Sequence, residues 1–254
     1  MKVLLIMAYR QLKRFIRARS RVVGSIVNPL IWIVFFGLGW SNVFRSPMVR
    51  QVFDGVDYLT YLVPGIVAMT IFSGSFISGV TVLWDKQFGF LKEILVAPAS
   101  RSEAIIGRAL GDAITALIQG IAILLLSFLI AGELKIVGVP AVLLIGFIQA
   151  LGFTSIGIVM ALKISSTEGF HVIVNFLMLP LIFLSGAFYP IDAMPNWMKV
   201  IAYINPLTYA VDGMRYYLVG SSKFPITLDL GVLTVSSTIL LVIVAYLFEK
   251  ATIE

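Results

Sequence analysis

Two stretches hold most of the side chains that could do chemistry, and what they suit is contact, not bond breaking. Trp84-Asp85-Lys86-Gln87-Phe88-Gly89-Phe90-Leu91-Lys92-Glu93 mixes acids, bases and large apolar groups. Asn205-Pro206-Leu207-Thr208-Tyr209-Ala210-Val211-Asp212-Gly213-Met214-Arg215-Tyr216-Tyr217 sets an aspartate, an arginine and tyrosines inside an oily region. There is no phosphate loop G-x-x-x-x-G-K-[ST], no H-E-x-x-H and no usable nucleophile–base pair. With no cysteine and a single histidine, His171, neither a thiolate nor a histidine metal site can be built. No catalytic residue, metal or cofactor is therefore assigned to this chain.

The elements that must position these groups follow from composition. The 254 residues are 59% hydrophobic and 13% charged, with a mean hydropathy of +1.01. Soluble domains carry roughly a quarter charged residues, so the chain falls in the membrane class. The net charge of +6 does not indicate nucleic acid, because the basic residues cluster by topology.

Apolar runs near the roughly 20 residues that cross a bilayer occur at 22–44, 59–83, 104–131, 140–162, 171–188 and 226–248. Such spans must be helical, since lipid offers backbone amides no partner. The expected fold is an all-α polytopic membrane protein, one transmembrane domain over 1–254 with six spans. Lys and Arg concentrate before the first span and in alternate loops, which puts both termini in the cytoplasm. The first apolar run is too long for a signal-peptide core.

Residues 1–21 show helical spacing, with Leu5, Ala8, Leu12 and Phe15 on one stripe. Arg10, Lys13, Arg14, Arg17 and Arg21 lie largely opposite, which makes an interfacial helix lying on anionic head groups. Asn28-Pro29 is the expected point where this helix turns into the first span. Between the second and third spans, Phe88, Leu91 and Leu95 have helical spacing, and Pro98 ends that helix. Ser100 and Glu103 form a capping box for the next helix. Between the fifth and sixth spans, Pro195 opens a short helix with Trp197, Val200, Ile201 and Ile204 on one face. Asn205-Pro206 breaks it, and a second short helix runs to about Val219. Both are too short to span. Their tyrosines and Trp197 suit the head-group layer at the outer face, as a gate or as an interfacial cap.

These pieces, in this order, resemble the permeases of the ABC type-2 export family. The daunorubicin-resistance-like exporters are nearest in appearance, and the O-antigen and teichoic-acid exporters are more distant. The resemblance is carried by the basic N-terminal helix and by Asp85-Lys86-Gln87-Phe88-Gly89 through Leu91, Glu93, Leu95, Pro98 and Ser100. It is completed by Ser185-Gly186 through Tyr189-Pro190, Pro195 and Asn205-Pro206-Leu207-Thr208-Tyr209-Ala210. It implies a half-transporter in the cell membrane of a prokaryote. Two such chains pair, and two separate ATPase subunits, which hold the ATP and Mg, dock beneath. The loop from Asp85 to Pro98 is then the coupling helix that meets the ATPase. The segment carrying Tyr189, Pro190, Trp197, Asn205, Pro206, Tyr209, Asp212 and Arg215 forms re-entrant helices that gate the exit. Gln87 stands where the family commonly has an acid, and Phe90 where it has a small Thr.

The residues admit two rivals. An ion-coupled secondary transporter predicts coupling through Asp112 or Glu168. A non-transporting membrane scaffold predicts a dispensable inner loop. Arg108 and Asp112 are expected to pair on one helix face. Asn175, Gln119 and Gln149 are expected to bond helix to helix, and Gly74, Ser75 and Gly79 to allow close packing at a dimer seam. The substrate-binding residues are not legible, and an amphiphilic drug, lipid or lipid-linked glycan all fit.

Overall fold

At Ala18 the backbone leaves helical geometry (φ −87°, ψ 71°), and this single residue separates α1, Lys2–Arg17, from α2, Arg19–Leu38. The turn expected at Asn28-Pro29 is thus displaced toward the N-terminus, to a residue with no β-branch or proline. Pro29 lies inside α2. Its missing N–H removes one helical bond, and just beyond it the helix widens to π geometry over Ile33–Leu38.

The computed structural model describes residues 2–41, 43–45, 47–53, 55–96, 98 and 100–250, and among these every regular element is a helix. After α2 come α3 (Tyr58–Gln87), the short α4 (Phe90–Val96), α5 (Arg101–Ile130) and α6 (Ile136–Lys163). Then follow α7 (Thr167–Phe183), the short α8 (Asn196–Ile204) and α9 (Pro206–Leu218), and finally α10 (Ile226–Glu249). Five of them, α2, α3, α5, α6 and α10, are long and apolar enough to cross a membrane. The apolar α7 has 17 residues and stops short of the expected 188. Leu184 leaves helical geometry, the Ser185 hydroxyl donates to the Ile182 carbonyl at 2.6 Å, and Gly186 takes φ 78°.

The most buried helix is α3, with 78% of its apolar window inside the protein against 17% for α2 and for α10. It forms the axis on which α5, α6 and α9 pack, and α10 closes the far side of α6. Contacts between helices are made where side chains vanish, as expected when dispersion rather than water drives association. A Cβ at Gly79 of α3 would overlap the Gly157 carbonyl of α6, and one at Gly65 would lie 2.5 Å from the Ala187 carbonyl. Gly74 faces the Gln119 side chain on α5. The small residues of α3 expected at a dimer seam therefore pack inside the chain.

Helix α1 is not simply laid on the lipid. Met7, Gln11 and Phe15 are buried, and the helix lies along α5 at Gly107 and Gly111. There the Ala8 carbonyl would be 2.7 Å from a Cβ at Gly111. Leu5, Ile6, Tyr9 and Ile16 stay exposed. The expected stripe is therefore split, with Phe15 toward protein and Leu5 turned outward.

Candidate functional site

The polar residues of the basic end converge on one carboxylate. Asp85 is in the last turn of α3, and its side chain is only 7% exposed. The Arg108 guanidinium of α5, 1% exposed, donates to Asp85 through Nη1 and to the Thr81 hydroxyl at 2.7 Å through Nη2. Arg10 of α1 reaches both Asp85 oxygens, at 3.1 and 3.2 Å, and Arg14 reaches one at 3.4 Å. Asp85 thus holds α1, α3 and α5 at one point. The helix α4 joins the same knot, because the Arg10 guanidinium lies 3.9 Å over the Phe90 ring. The aromatic at 90, unusual for the resemblance, has a structural role as the face on which Arg10 rests.

Asp85 is therefore buried among α1, α3 and α5 and not part of the exposed surface of the loop. Lys86 and Gln87 also belong to α3. Gln87 donates to the Ser165 carbonyl at 3.2 Å and accepts from Thr167 at 3.3 Å, tying the end of α3 to the turn between α6 and α7. The chain then reverses at Gly89, φ 82°, so Phe88 precedes α4 instead of sharing a face with Leu91. Phe88 is 84% exposed at the tip, whereas Leu91 is 7% exposed and belongs to the core. Glu93 and Pro98 are exposed, and the Leu95 side chain lies outside the described residues. Phe88, Lys92, Glu93 and Val96 together form an exposed tip on this segment. Beyond it Ser100 caps α5, its hydroxyl accepting from the Glu103 N–H at 3.2 Å.

Above this knot a cavity of about 680 Å³ opens between α1, α2, α3, α5 and α7. Its basic end is bordered by Gln11, Arg14, Arg21, Thr81, Trp84, Asp112 and His171. Its middle carries Ser25, Asn28, Ser78, Gln119 and Asn175, and its far end Trp32, Met69, Met178, Leu179 and Ile182. Burial lowers the Arg14 guanidinium from its ordinary value, and the field of Asp85 acts the other way. Asp112 is 3.9 Å from the Arg108 Nε, so the expected pair forms, but as the weaker partner beside Asp85. Of the three amides, Gln149 bonds helix to helix, donating to the Ala68 carbonyl at 2.8 Å, whereas Gln119 and Asn175 border the cavity. The remaining basic residues of α1, Lys13 and Arg17, flank a shallow outward groove with Arg10 and Arg14.

At the far end the expected gate divides into two unlike helices. On α8 the whole apolar stripe is exposed: Trp197 61%, Val200 58%, Ile201 41% and Ile204 76%. Its neighbour α9 is buried along nearly its full length, against α3, α6 and α10. Asn205 caps α9 by accepting from the Leu207 N–H at 3.0 Å, and it donates to the Leu181 carbonyl of α7 at 2.7 Å. Pro206 occupies the first turn of α9, where a missing N–H costs nothing. The Tyr209 hydroxyl donates to the Tyr203 carbonyl at 2.6 Å. Asp212 accepts the Lys223 and Phe224 N–H groups at 2.8 Å each, which folds the turn into α10. Arg215 donates to the Gly186 carbonyl at 2.8 Å and stacks 3.9 Å over Tyr61. Tyr189 and Pro190 are half-buried beside this turn. Asp192 bonds Lys223 at 2.6 Å and raises the lysine pKa. In this arrangement Asn205, Tyr209, Asp212 and Arg215 are structural ties, and the exposed surface of the gate segment is α8.

Sequence reasoning missed Arg108 as the central partner of Asp85, and it missed Gly107 and Gly111. The signal was present as the G-x-x-x-G run Gly107-Arg108-Ala109-Leu110-Gly111, which clears one face of α5 for a neighbouring helix.

The sequence pattern of the ABC-2 type transporter family matches residues 2–219. The ycf38 protein of Cyanophora paradoxa is 32% identical over 216 residues, covering 82% of this chain and 72% of the relative. The inner membrane transport permease YadH of Escherichia coli K12 is 24% identical over 228 residues, covering 89% and 86%. Nodulation protein J of Rhizobium leguminosarum bv. viciae is 25% identical over 220 residues, covering 86% and 82%. A bundle of long apolar helices, a basic helix clamped to them by a buried carboxylate, and a match along most of the chain lead to one conclusion: the chain belongs to the ABC-2 type transporter family and is a multi-pass membrane permease.

Proposed function

We propose that this chain is the membrane-spanning half of an ATP-driven exporter in the cell membrane, working as a homodimer above two separate ATPase subunits that carry the ATP and Mg. In this reading α7 is the sixth span, its 17 residues being at the lower limit of what crosses a bilayer. Both termini and the basic end lie in the cytoplasm, and α8 and α9 lie at the exit. The observation that carries it is the exposed tip Phe88, Lys92, Glu93 and Val96, set on a knot that ties α1, α3, α4 and α5 beneath the cavity. Closure of the ATPases would push this tip, and the displacement would pass through Asp85 to the helices lining the cavity. The cavity is the route of an amphiphilic substrate outward.

The test is co-purification in detergent with a candidate ABC ATPase subunit, comparing wild type with Phe88→Asp plus Glu93→Arg. Both residues are exposed, so the fold is not at risk, whereas Leu91 is core and unsuited. Loss of the ATPase from a folded dimer supports the reading. Unchanged binding overturns the docking surface, and no ATPase on the wild type favours ion-coupled transport.

A further inference from the structure

We propose that the cavity takes an amphiphile with an anionic, phosphate-sized head, which sits between Arg14 and Arg21 while the tail runs toward Trp32 and Met178. The proposal rests on the reading of the cavity as the substrate route and narrows the substrate class.

The first observation is a charge imbalance. Two guanidiniums, Arg14 and Arg21, border the basic end of the cavity with one carboxylate, Asp112, whereas Arg10 and Arg108 are taken up by Asp85 behind the wall. Asp85 is shared by three of the arginines. Arg21 borders the cavity and forms no ion pair among the described residues; its guanidinium lies 5.8 Å over the Trp84 ring. Arg14 has a single contact to Asp85, at 3.4 Å, and its charge is partly stripped of water. A cationic head here would meet like charge, whereas a phosphate or carboxylate would complete the balance and accept from both guanidiniums.

The second observation is the gradient of the lining. Arg14 and Arg21 stand at one end, hydroxyl and amide groups in the middle, and Trp32, Met69, Met178 and Ile182 at the other. The charged end lies at the level of α1, whose exposed Leu5, Ile6 and Tyr9 suit the boundary between head groups and tails. An amphiphile held this way keeps the depth it has in the leaflet. At about 680 Å³ the cavity has the size of a site for a drug-sized molecule.

Trp32 and Trp84 border the cavity, so tryptophan fluorescence of the full chain in neutral maltoside detergent reports occupancy. The probes are dodecyl phosphate, dodecyltrimethylammonium and inorganic phosphate. Dodecyl phosphate is expected to bind, Arg21→Gln to weaken it about tenfold, the loss of one charge-assisted contact, and Arg21→Lys to retain most of it. Binding of the trimethylammonium as tight as that of the phosphate, or no effect of Arg21→Gln, overturns the proposal. So does inorganic phosphate displacing dodecyl phosphate at equal concentration, which would mark a site for a free anion. Ser25→Phe, which narrows the middle of the cavity, separates the two levels of the argument. If it blocks a preferred cationic probe, the charge inference falls and the cavity reading stands. If it leaves dodecyl phosphate binding intact, both fall.

Discussion

Removing the Asp85 carboxyl should be the most damaging single change at the basic end. Asp85→Ala leaves Arg108, with its side chain 1% exposed, only the weaker ion pair to Asp112 at 3.9 Å from its Nε. Breaking a buried pair from one side costs about 3–5 kcal/mol. The Arg10 and Arg14 contacts add little, since those side chains are 29% and 32% exposed and rehydrate. For a chain of this size 1 kcal/mol moves the melting temperature by roughly 2–4 °C, so the fall should be about 6–20 °C. The assay is thermal unfolding of the purified permease in detergent, read by tryptophan fluorescence. A double variant, Asp85→Leu with Arg108→Met, removes both charges and should recover part of the loss, because apolar groups of similar size replace a buried pair at little cost while Asp112 loses its own partner. If Asp85→Ala melts within about 2 °C of wild type, or if the double variant is as unstable as the single one, the charge knot does not hold these helices together and the reasoning fails.

Three further outcomes follow from the same geometry. Gly107→Val places side-chain atoms where the Leu4 backbone lies, so α1 must lift from α5; limited proteolysis should cut between α1 and α2, with a stability loss of about 1–3 kcal/mol. Asp212→Ala orphans the Lys223 and Phe224 N–H groups and should cost about 1–3 kcal/mol in thermal unfolding, whereas a wild-type melting curve would show the turn into α10 to be held elsewhere. Lys223→Met should cost at most about 1 kcal/mol, because lysine and Asp192 are 39% and 65% exposed. Asp192 raises the lysine pKa, so the bridge is fully present below the ordinary lysine value and is lost only as pH rises through the raised one. The stability difference between Lys223→Met and wild type should therefore stay flat from about pH 6 to 9.

What was legible in the sequence is what depends on local pattern. The apolar runs gave the long helices to within a few residues at most ends, and Ser100-x-x-Glu103 and Asn205-Pro206 marked helix starts that the structure has in place. Periodicity failed where a side chain answers to two environments. In α1 the residues facing α5 and those facing outward are both apolar, so one stripe in the sequence is two faces in the fold. Phe88 and Leu91 have helical spacing, yet Gly89 reverses the chain between them, which spacing alone cannot reveal. Asp85 and Arg108 are far enough apart in sequence that only the antiparallel passage of α3 and α5 brings them together. The acidic residues of the loop looked like ligands for a partner because most charges in a membrane protein lie at its edges. One of them is instead the deepest tie of that edge.

That depth ties the cavity wall to the tip. Phe88 directly follows the end of α3, and Gln87 there is bonded to the turn before α7. Asp85, one turn earlier, is bonded to α1 and α5. Each of these elements supplies part of the cavity wall: Arg14 from α1, Thr81 from α3, Asp112 from α5 and His171 from α7. Close backbone contact at Gly79 and Gly157 leaves α3 no slack against α6. Helix α1 is held to α5 as closely at Gly107 and Gly111, so α1, α3, α5 and α6 meet as one tightly packed block at the basic end.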